Sequence, residues 1–264
     1  MAKEPPEEDE EAERGCPELA LPPGVGVPVR PKPGECEDGQ NDDDGNRQRR
    51  QDGGGQPGAT MMELGPVTLS GKHIRLEPLS RDHAGALLAA AQAPEIWTWM
   101  SAQPVTPEAM AAWIAEALEA QDRGLEYPFV VVHLASDRVV GSTRYLDVQA
   151  ASKGVEIGWT WYAPETWGTV VNPEAKFLLL RHAFEAWGAI RVQLKTDLKN
   201  LRSQAAIKKL GAKEEGVLRR HRFRRDGTIR DSVIYSIIRE EWPAVKAALE
   251  ERIGGAPDLP VQST

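Results

Sequence analysis

Residues 154–176 read GVEIGWTWYAPETWGTVVNPEAK, and this stretch decides the fold. Its beginning, 154–162, alternates apolar and polar side chains and therefore predicts a strand. The expected apolar face consists of Val155, Ile157, Trp159 and Trp161. Further along, Asn172 suits the N-cap of a helix and Pro173 its first residue. A strand is thus followed by a loop and a helix N-terminus.

The connecting loop, residues 165–171 with Gly168 inside it, brings its backbone to that helix N-terminus. Free N–H groups and the positive end of the helix dipole favour an anion there, as in phosphate sites. An ordinary capped helix is the alternative for a single glycine-containing loop. Neither GxxxxGKS/T nor GxGxxG occurs in residues 63–264, which disfavours nucleoside-triphosphate and dinucleotide folds.

The neighbouring segments predict a sheet with one crossover. Further strands are expected at 68–79, 127–134, 138–147, 190–196, 214–223 and 228–238. Helices are expected at 80–91, from 106 onward, and at 173–187, 201–210 and 241–253. A strand, helix and strand in succession imply a parallel pair, whereas the turn Asp226-Gly227 indicates an antiparallel hairpin. The fold class is α+β, a mixed and mostly antiparallel central sheet with helices on both faces.

The first sixty residues differ from the rest in charge and composition. They hold fifteen Asp/Glu against seven Lys/Arg, which accounts for the whole net charge of −8, and they contain no aromatic residue. Such a segment cannot bury enough apolar area to offset the entropy of ordering it. We therefore expect a disordered acidic tail at 1–62, a folded domain at 63–254 and a flexible end at 255–264.

Metal binding and membrane insertion are not expected. Both cysteines, Cys16 and Cys36, lie in the tail, and the five histidines show no metal-ligand spacing. No apolar run approaches the roughly 18 residues of a membrane span, and the acidic start is unlike a presequence. We expect a cytoplasmic protein without a metal, and the sequence leaves monomer and homodimer open.

The predicted hairpin is basic. Residues 199–230 contain eleven Lys/Arg and three acidic residues. A solvated hairpin face explains most of them, but they also suit a phosphate group, an acidic acceptor molecule or RNA.

Four segments together resemble the Gcn5-related N-acetyltransferases (GNATs), and within them the enzymes that acetylate ribosomal-protein N-termini. They are Glu156-Ile157-Gly158-Trp159, Trp167-Gly168-Thr169 with 172–176, Asn200-Leu201-Arg202-Ser203, and Leu210-Gly211-Ala212. The resemblance runs from about residue 73 to the closing helix. It implies a sheet splayed at an acetyl-CoA cleft and transfer of an acetyl group to an amine.

The resemblance also implies the cofactor-binding residues. The pyrophosphate is expected on the backbone of Trp167, Gly168, Thr169, Val170, Val171 and Asn172. The pantetheine arm is expected beside Trp161 and Tyr162, with Asn200 on its other side. A helix cap is an equally good role for Asn200, and the two roles are compatible. The family's usual Arg/Gln-x-x-Gly-x-Gly/Ala loop is reduced here to Gly168.

Acetyl transfer to an amine needs an acid and a base; the resemblance points to the acid, and the strand pattern, which leaves a carboxylate on a central strand, points to the base. Ile207 occupies the position of the family's common acid tyrosine, whereas Ser203 stands where the ribosomal-protein branch places a serine. An ordinary helix-start serine is the alternative. Glu156 is either paired with Arg144 or a similar cation on a neighbouring strand, or held near the thioester as the base.

The expected activity is therefore acetyl transfer from acetyl-CoA to a primary amine, with a ribosomal or other protein N-terminal α-amine as first acceptor. A small amine, such as an antibiotic or polyamine, is the second. A non-catalytic CoA-binding module is the alternative, because both the glycine loop and the acid tyrosine are altered.

Overall fold

The computed structural model describes Met62 and residues 64–255. The tail expected at 1–62 lies outside the described residues apart from Met62, and so does the expected C-terminal end apart from Gly255. Met62 is 7% exposed and belongs to the hydrophobic core. The packed domain therefore includes one residue that the sequence assigned to the tail.

The described residues form one sheet of eight strands. The strands are β1 Leu69–Ser70, β2 Ile74–Pro78, β3 Glu126–His133, β4 Arg138–Gln149, β5 Gly154–Tyr162, β6 Arg191–Asp197, β7 Lys213–Phe223 and β8 Ile229–Ile238. Their order in the sheet is β1-β2-β3-β4-β5-β6-β8-β7. Within these strands only β5 and β6 pair in parallel, and every other neighbouring pair is antiparallel. The predicted mixed, mostly antiparallel sheet with one parallel crossover is confirmed.

Helices cover both faces of this sheet, as predicted. They are α1 Ala84–Ala90, α2 Pro107–Asp122, α3 Val171–Arg181, α4 Leu201–Lys208 and α5 Trp242–Gly255. One core cluster joins α1 and α2 to the sheet through residues such as Leu87, Met110 and Trp113. The other joins α3 and α5 to the opposite face through residues such as Leu178 and Leu249.

The start of α2 follows its sequence signals. Thr106 has extended backbone, and its hydroxyl accepts a hydrogen bond from the N–H of Ala109 at 3.2 Å. Pro107 is the first helical residue, where the missing N–H costs nothing. The predicted cap is confirmed.

The single strand expected at 68–79 is wrong, because a turn divides it into β1 and β2. The buried carboxylate of Glu174 accepts the N–H groups of Lys72, His73 and Ile74 at 2.6, 2.9 and 3.0 Å. A Cβ on Gly71 would lie 2.6 Å from Cδ of Glu174. Local periodicity could not predict this turn, because its partner Glu174 is about a hundred residues away in the sequence.

The predicted start of α3 is also wrong. Its N-cap is Val170 and its first residue Val171, so Asn172 and Pro173 lie inside the first turn. The N–H of Glu174 donates to the carbonyl of Val170 at 3.0 Å. First-turn N–H groups lack acceptors within the helix, so proline is tolerated at the third position as well as the first.

A β-bulge in β5 changes which side chains share a face. Ser142 pairs with Trp161 and Arg144 with Gly158, so two residues of β5 lie opposite the single Thr143. Trp159 has a φ of 49° at this bulge. Val155 and Ile157 therefore pack in the core with α3, but Trp161 packs on the α2 side. The single apolar face predicted from 155 to 161 is wrong, because one extra residue reverses the alternation.

The β7–β8 hairpin is confirmed, although its loop is longer than the predicted two residues. The N–H of Arg224 donates to the carbonyl of Thr228 at 2.7 Å, and Gly227 takes a φ of 79°. Three residues therefore lie between the partners that close the loop.

Candidate active site

The sheet opens between its two parallel strands. Pairing of β5 with β6 is limited to residues 154–157 and 191–194. Beyond this point β5 stays paired with β4 as far as Tyr162, and β6 with β8 as far as Asp197. The strands separate into a cleft of about 840 Å³, a volume typical of small-molecule and cofactor sites.

This cleft brings together nine of the eleven predicted site residues. They are Glu156, Trp161, Tyr162, Trp167, Gly168, Thr169, Asn172, Asn200 and Ser203. Val170 and Val171 do not line it, since both are 0% exposed with their side chains in the interior. These two valines could therefore contact a ligand in the cleft only through their backbone.

The loop between β5 and α3 is fixed by its own hydrogen bonds. The indole Nε1 of Trp167 donates to the carbonyl of Tyr162 at 3.0 Å. Gly168 has a φ of 82°, which a residue with a Cβ adopts only with strain. The hydroxyl of Thr169 donates to the carbonyl of Thr166 at 2.7 Å and accepts from the N–H of Val171 at 3.3 Å. The backbone before α3 is thus preorganised at the cleft wall.

The other wall is the start of α4. The amide oxygen of Asn200 accepts the N–H of Ser203 at 3.0 Å, which confirms the predicted helix cap. The guanidinium of Arg202 lies 3.9 Å from the ring centroid of Trp167 and so joins the two walls by a cation–π contact. Ile207, where the family's tyrosine stands, lines the cleft and is 7% exposed.

Glu156 is buried in the cleft beside a lysine. Its Oε2 accepts from Nε2 of Gln193 at 2.8 Å and from Nζ of Lys195 at 2.9 Å. Both donors lie on β6. The predicted cation on a neighbouring strand is therefore present, while Arg144 as that cation is wrong.

Arg144 is engaged on the α2 side of the sheet. Its Nη1 donates to Oε2 of Glu126 at 2.7 Å, and its guanidinium lies 4.3 Å from the ring centroid of Trp113. In the strand register Arg144 faces Gly158, whereas Glu156 faces Leu146 on β4 and Gln193 on β6. The sequence carried no signal for this register.

Lys176 is a cleft residue that the sequence analysis missed. It is 6% exposed, and its Nζ donates to the hydroxyl of Thr160 at 2.6 Å. Thr160 in turn lies 2.7 Å from the hydroxyl of Thr143. Burial lowers the pKa of Lys176 to about 7. The sequence does contain a signal for this residue, because Lys176 interrupts the otherwise apolar run 175–180 of α3.

Two buried polar atoms of aromatic cleft residues have no hydrogen-bond partner among the described residues. They are the hydroxyl of Tyr162 and the indole Nε1 of Trp161. Burial raises the pKa of Tyr162, so its phenol stays protonated and able to donate. Together with the β5 edge that β6 leaves unpaired, these donors fit a ligand rich in amides and carbonyls.

A splayed sheet whose opening meets a preorganised loop and a helix N-terminus is the arrangement that the sequence resemblance implied for an acyltransferase. The acetyltransferase (GNAT) domain model matches residues 73–213. The chain belongs to this family of acetyltransferases, for which acetyl-CoA is the general acetyl donor. No curated protein was found to match the chain.

Solved structures have the same fold. An acetyltransferase of T. thermophilus is 41% identical, with a TM-score of 0.65 over 72% of this chain and 99% of that one. A GCN5-related N-acetyltransferase of Brucella melitensis is 26% identical, with a TM-score of 0.68 over 72% and 87%. RimJ of Mycobacterium smegmatis, solved with CoA-disulfide, is 22% identical, with a TM-score of 0.64 over 73% and 97%.

Two further properties concern the described part of the chain. Within Met62 and residues 64–255, no group of three or more His, Cys, Asp or Glu is placed to hold a metal ion. None of the helices described there has the length and apolarity to cross a membrane.

Proposed function

We propose that the protein transfers the acetyl group of acetyl-CoA to a protein N-terminal α-amine in the cytoplasm. One observation carries this proposal. The opening between β5 and β6 is lined from one side by the loop before α3 and from the other by the start of α4, with Glu156 inside it. Cofactor, base and acid candidates thus share one cleft.

The residues expected to hold acetyl-CoA lie along this opening. The backbone of 167–172 and the N-terminus of α3 would receive the pyrophosphate. Backbone groups of Trp161 and Tyr162 would pair with the pantetheine amides, with Asn200 on the opposite wall. Arg202, held over Trp167, supplies a positive charge at the same wall.

Acetyl-CoA supplies an activated thioester, which the acceptor amine attacks as the C–N bond forms and the C–S bond breaks. Glu156 is positioned to take the proton of the amine, directly or through water. Backbone N–H groups near Trp161 are suited to the negative charge that develops on the carbonyl oxygen. Ser203 is the proposed donor to the departing thiolate. The resemblance to ribosomal-protein acetyltransferases supports the role of Ser203, and the burial of the Glu156 carboxylate in the cleft supports its role as the base.

The choice of acceptor rests on similarity of fold and on the sequence motifs. A ribosomal-protein-S5-alanine acetyltransferase of Vibrio fischeri is 18% identical, with a TM-score of 0.57 over 67% of this chain and 98% of that one. The name describes the substrate of the Vibrio fischeri protein and not of this chain. It supports a peptide α-amine as the first acceptor to test here.

The test is direct. The full chain is incubated with acetyl-CoA and either peptides with free α-amines, the same peptides with blocked α-amines, or a panel of polyamines and aminoglycosides. We expect thiol release and one added acetyl group, with the free α-amine peptides only. Acetylation of the small amines alone would replace the acceptor, and absence of transfer to any amine would favour the non-catalytic CoA-binding module.

A further inference from the structure

Two arginines of the basic hairpin lie side by side at the cleft. Arg222 on β7 and Arg230 on β8 are directly opposite each other in the strand register. Like charges in this arrangement destabilise a hairpin. Both residues line the large cleft and also a smaller pocket of about 130 Å³ next to it.

The two buried carboxylates in this region, Asp197 and Glu156, are already paired. Arg224 holds Asp197 through two hydrogen bonds of 2.7 and 3.0 Å. Lys195 is bonded to Glu156. Of the remaining carboxylates along the two pockets, Glu95 is exposed and Asp226 accepts from the N–H and hydroxyl of Thr228.

Arg230 is left without close compensation. Its Nε is buried and has no hydrogen-bond partner among the described residues, and the nearest carboxylate oxygen, Oδ2 of Asp197, is 4.0 Å away. Burial lowers the pKa of Arg230. The carboxylates of Asp197 and Glu156 act against this shift, whereas the charges of Arg222 and Arg224 add to it. An anion between Arg222 and Arg230 would satisfy the orphaned donor and relieve the repulsion.

The position of the pair indicates which ligand supplies the anion. The small pocket is closed on its other side by residues 98–101, which precede α2. The loop before α3 and Arg202 do not line this pocket. Glu156, which interacts electrostatically with Arg230, belongs to the shared cleft. The arginine pair therefore faces the acceptor side of the proposed base.

We propose that Arg222 and Arg230 form a specificity site for an acidic side chain near the N-terminus of the acceptor peptide. The site rests on the proposed function and narrows its substrate class to peptides that carry a carboxylate one or two residues after the reacting α-amine. The neutral amine then lies by Glu156 while the carboxylate is held between the two guanidinium groups. A neutral peptide of the same length leaves the arginines uncompensated.

The experiment compares Ala-Glu-Glu and Ala-Gln-Gln peptides that share the same C-terminal extension. Their binding to the full chain is measured by calorimetry in the presence of CoA, so that no turnover is needed. We expect the acidic peptide to bind about tenfold or more tightly, because charge-assisted hydrogen bonds are involved. Arg222→Gln and Arg230→Gln should each remove most of that preference.

The matched control is Arg219→Gln. Arg219 is an exposed arginine of the same strand that lines neither pocket. It should leave the preference unchanged, and all three variants should keep the wild-type affinity for acetyl-CoA. Equal binding of the two peptides, or a preference that survives both substitutions at the pair, would overturn the specificity site.

Turnover of the same peptides separates this inference from the proposed function. Acetylation of both peptides with equal kcat/KM would contradict the site and leave N-acetyl transfer intact. Preferential binding of the acidic peptide without acetylation would support the anion site and contradict the transfer reaction.

Discussion

Oε2 of Glu156 lies 2.9 Å from Nζ of Lys195 in the cleft between β5 and β6, where the side chain of Glu156 is 4% exposed and that of Lys195 is 13% exposed. A buried carboxylate needs a partner or a function. Lys195 is such a partner for Glu156. A function of the carboxylate is still possible, because its Oε1 accepts no hydrogen bond from Lys195 or Gln193.

Replacing the carboxylate distinguishes these two roles. We expect Glu156→Gln to lower kcat about a hundredfold or more at neutral pH, as the loss of a general base does, with little change in acetyl-CoA affinity. Initial rates over a range of pH provide the measurement. Unchanged turnover would mean that Glu156 has only a structural role, as the partner of Lys195.

Substitutions of Asn200 and Ser203, at the start of α4, should have different effects on stability and activity. Asn200 caps the helix with its side chain, whereas Ser203 contributes its backbone N–H to that cap. Asn200→Ala should lower the free energy of unfolding by about 1 kcal/mol and weaken acetyl-CoA binding.

Ser203→Ala should leave the cap and the stability essentially unchanged but reduce kcat, because only the hydroxyl proposed as the acid is lost. Urea unfolding and steady-state kinetics of the two variants test this difference. A Ser203→Ala enzyme with wild-type kcat would remove the serine from the mechanism.

The loop before α3 depends on one glycine. Gly168 has a φ of 82° and nothing within 4 Å of where its Cβ would be, so conformation and not space restricts this position. Gly168→Ala should cost about 1 kcal/mol of stability and weaken acetyl-CoA binding through the displaced backbone. Gly65→Ala is a control, because that Cβ also meets nothing within 4 Å and no positive φ is found there. Equal affinities in both variants would exclude a role for the loop geometry.

Lys176 predicts a specific pH dependence of stability. Burial lowers its pKa to about 7, well below the usual value of 10.5 in an unfolded chain. Between these two values the unfolded state binds more protons at this site, so the contribution of Lys176 makes the protein more stable as pH rises.

The Lys176→Met variant should lack that gain. As pH rises above 7, the free energy of unfolding of the wild type should increase relative to that of the variant by up to about 1.4 kcal/mol per pH unit. Urea unfolding at several pH values measures it. A difference that does not vary with pH would mean that Lys176 keeps an ordinary pKa in the folded protein.

Local patterns predicted most of the elements. The apolar run of β3, the cap of α2 and the cap of α4 are properties of neighbouring residues, and these elements lie where the sequence predicted them. The crossover from β5 to β6 followed from element order, and the cleft followed from the family resemblance.

Long-range contacts account for what the sequence could not predict. The bulge at Trp159 moves Trp161 to the other face of the sheet, and no local signal marks it. Glu174 divides the first predicted strand from about a hundred residues away in the chain. The partners of Glu156 and Lys176 likewise depend on which strand and helix come to lie beside them.

A thermal-shift titration of the full chain with acetyl-CoA, CoA and ATP tests whether the cleft between β5 and β6 binds coenzyme A. A ligand that binds only the folded state raises the free energy of unfolding by RT ln(1 + [L]/Kd). We predict that acetyl-CoA and CoA stabilise the protein far more than ATP, and that Gly168→Ala reduces this effect. No stabilisation by acetyl-CoA at millimolar concentration would contradict the assignment of the cleft.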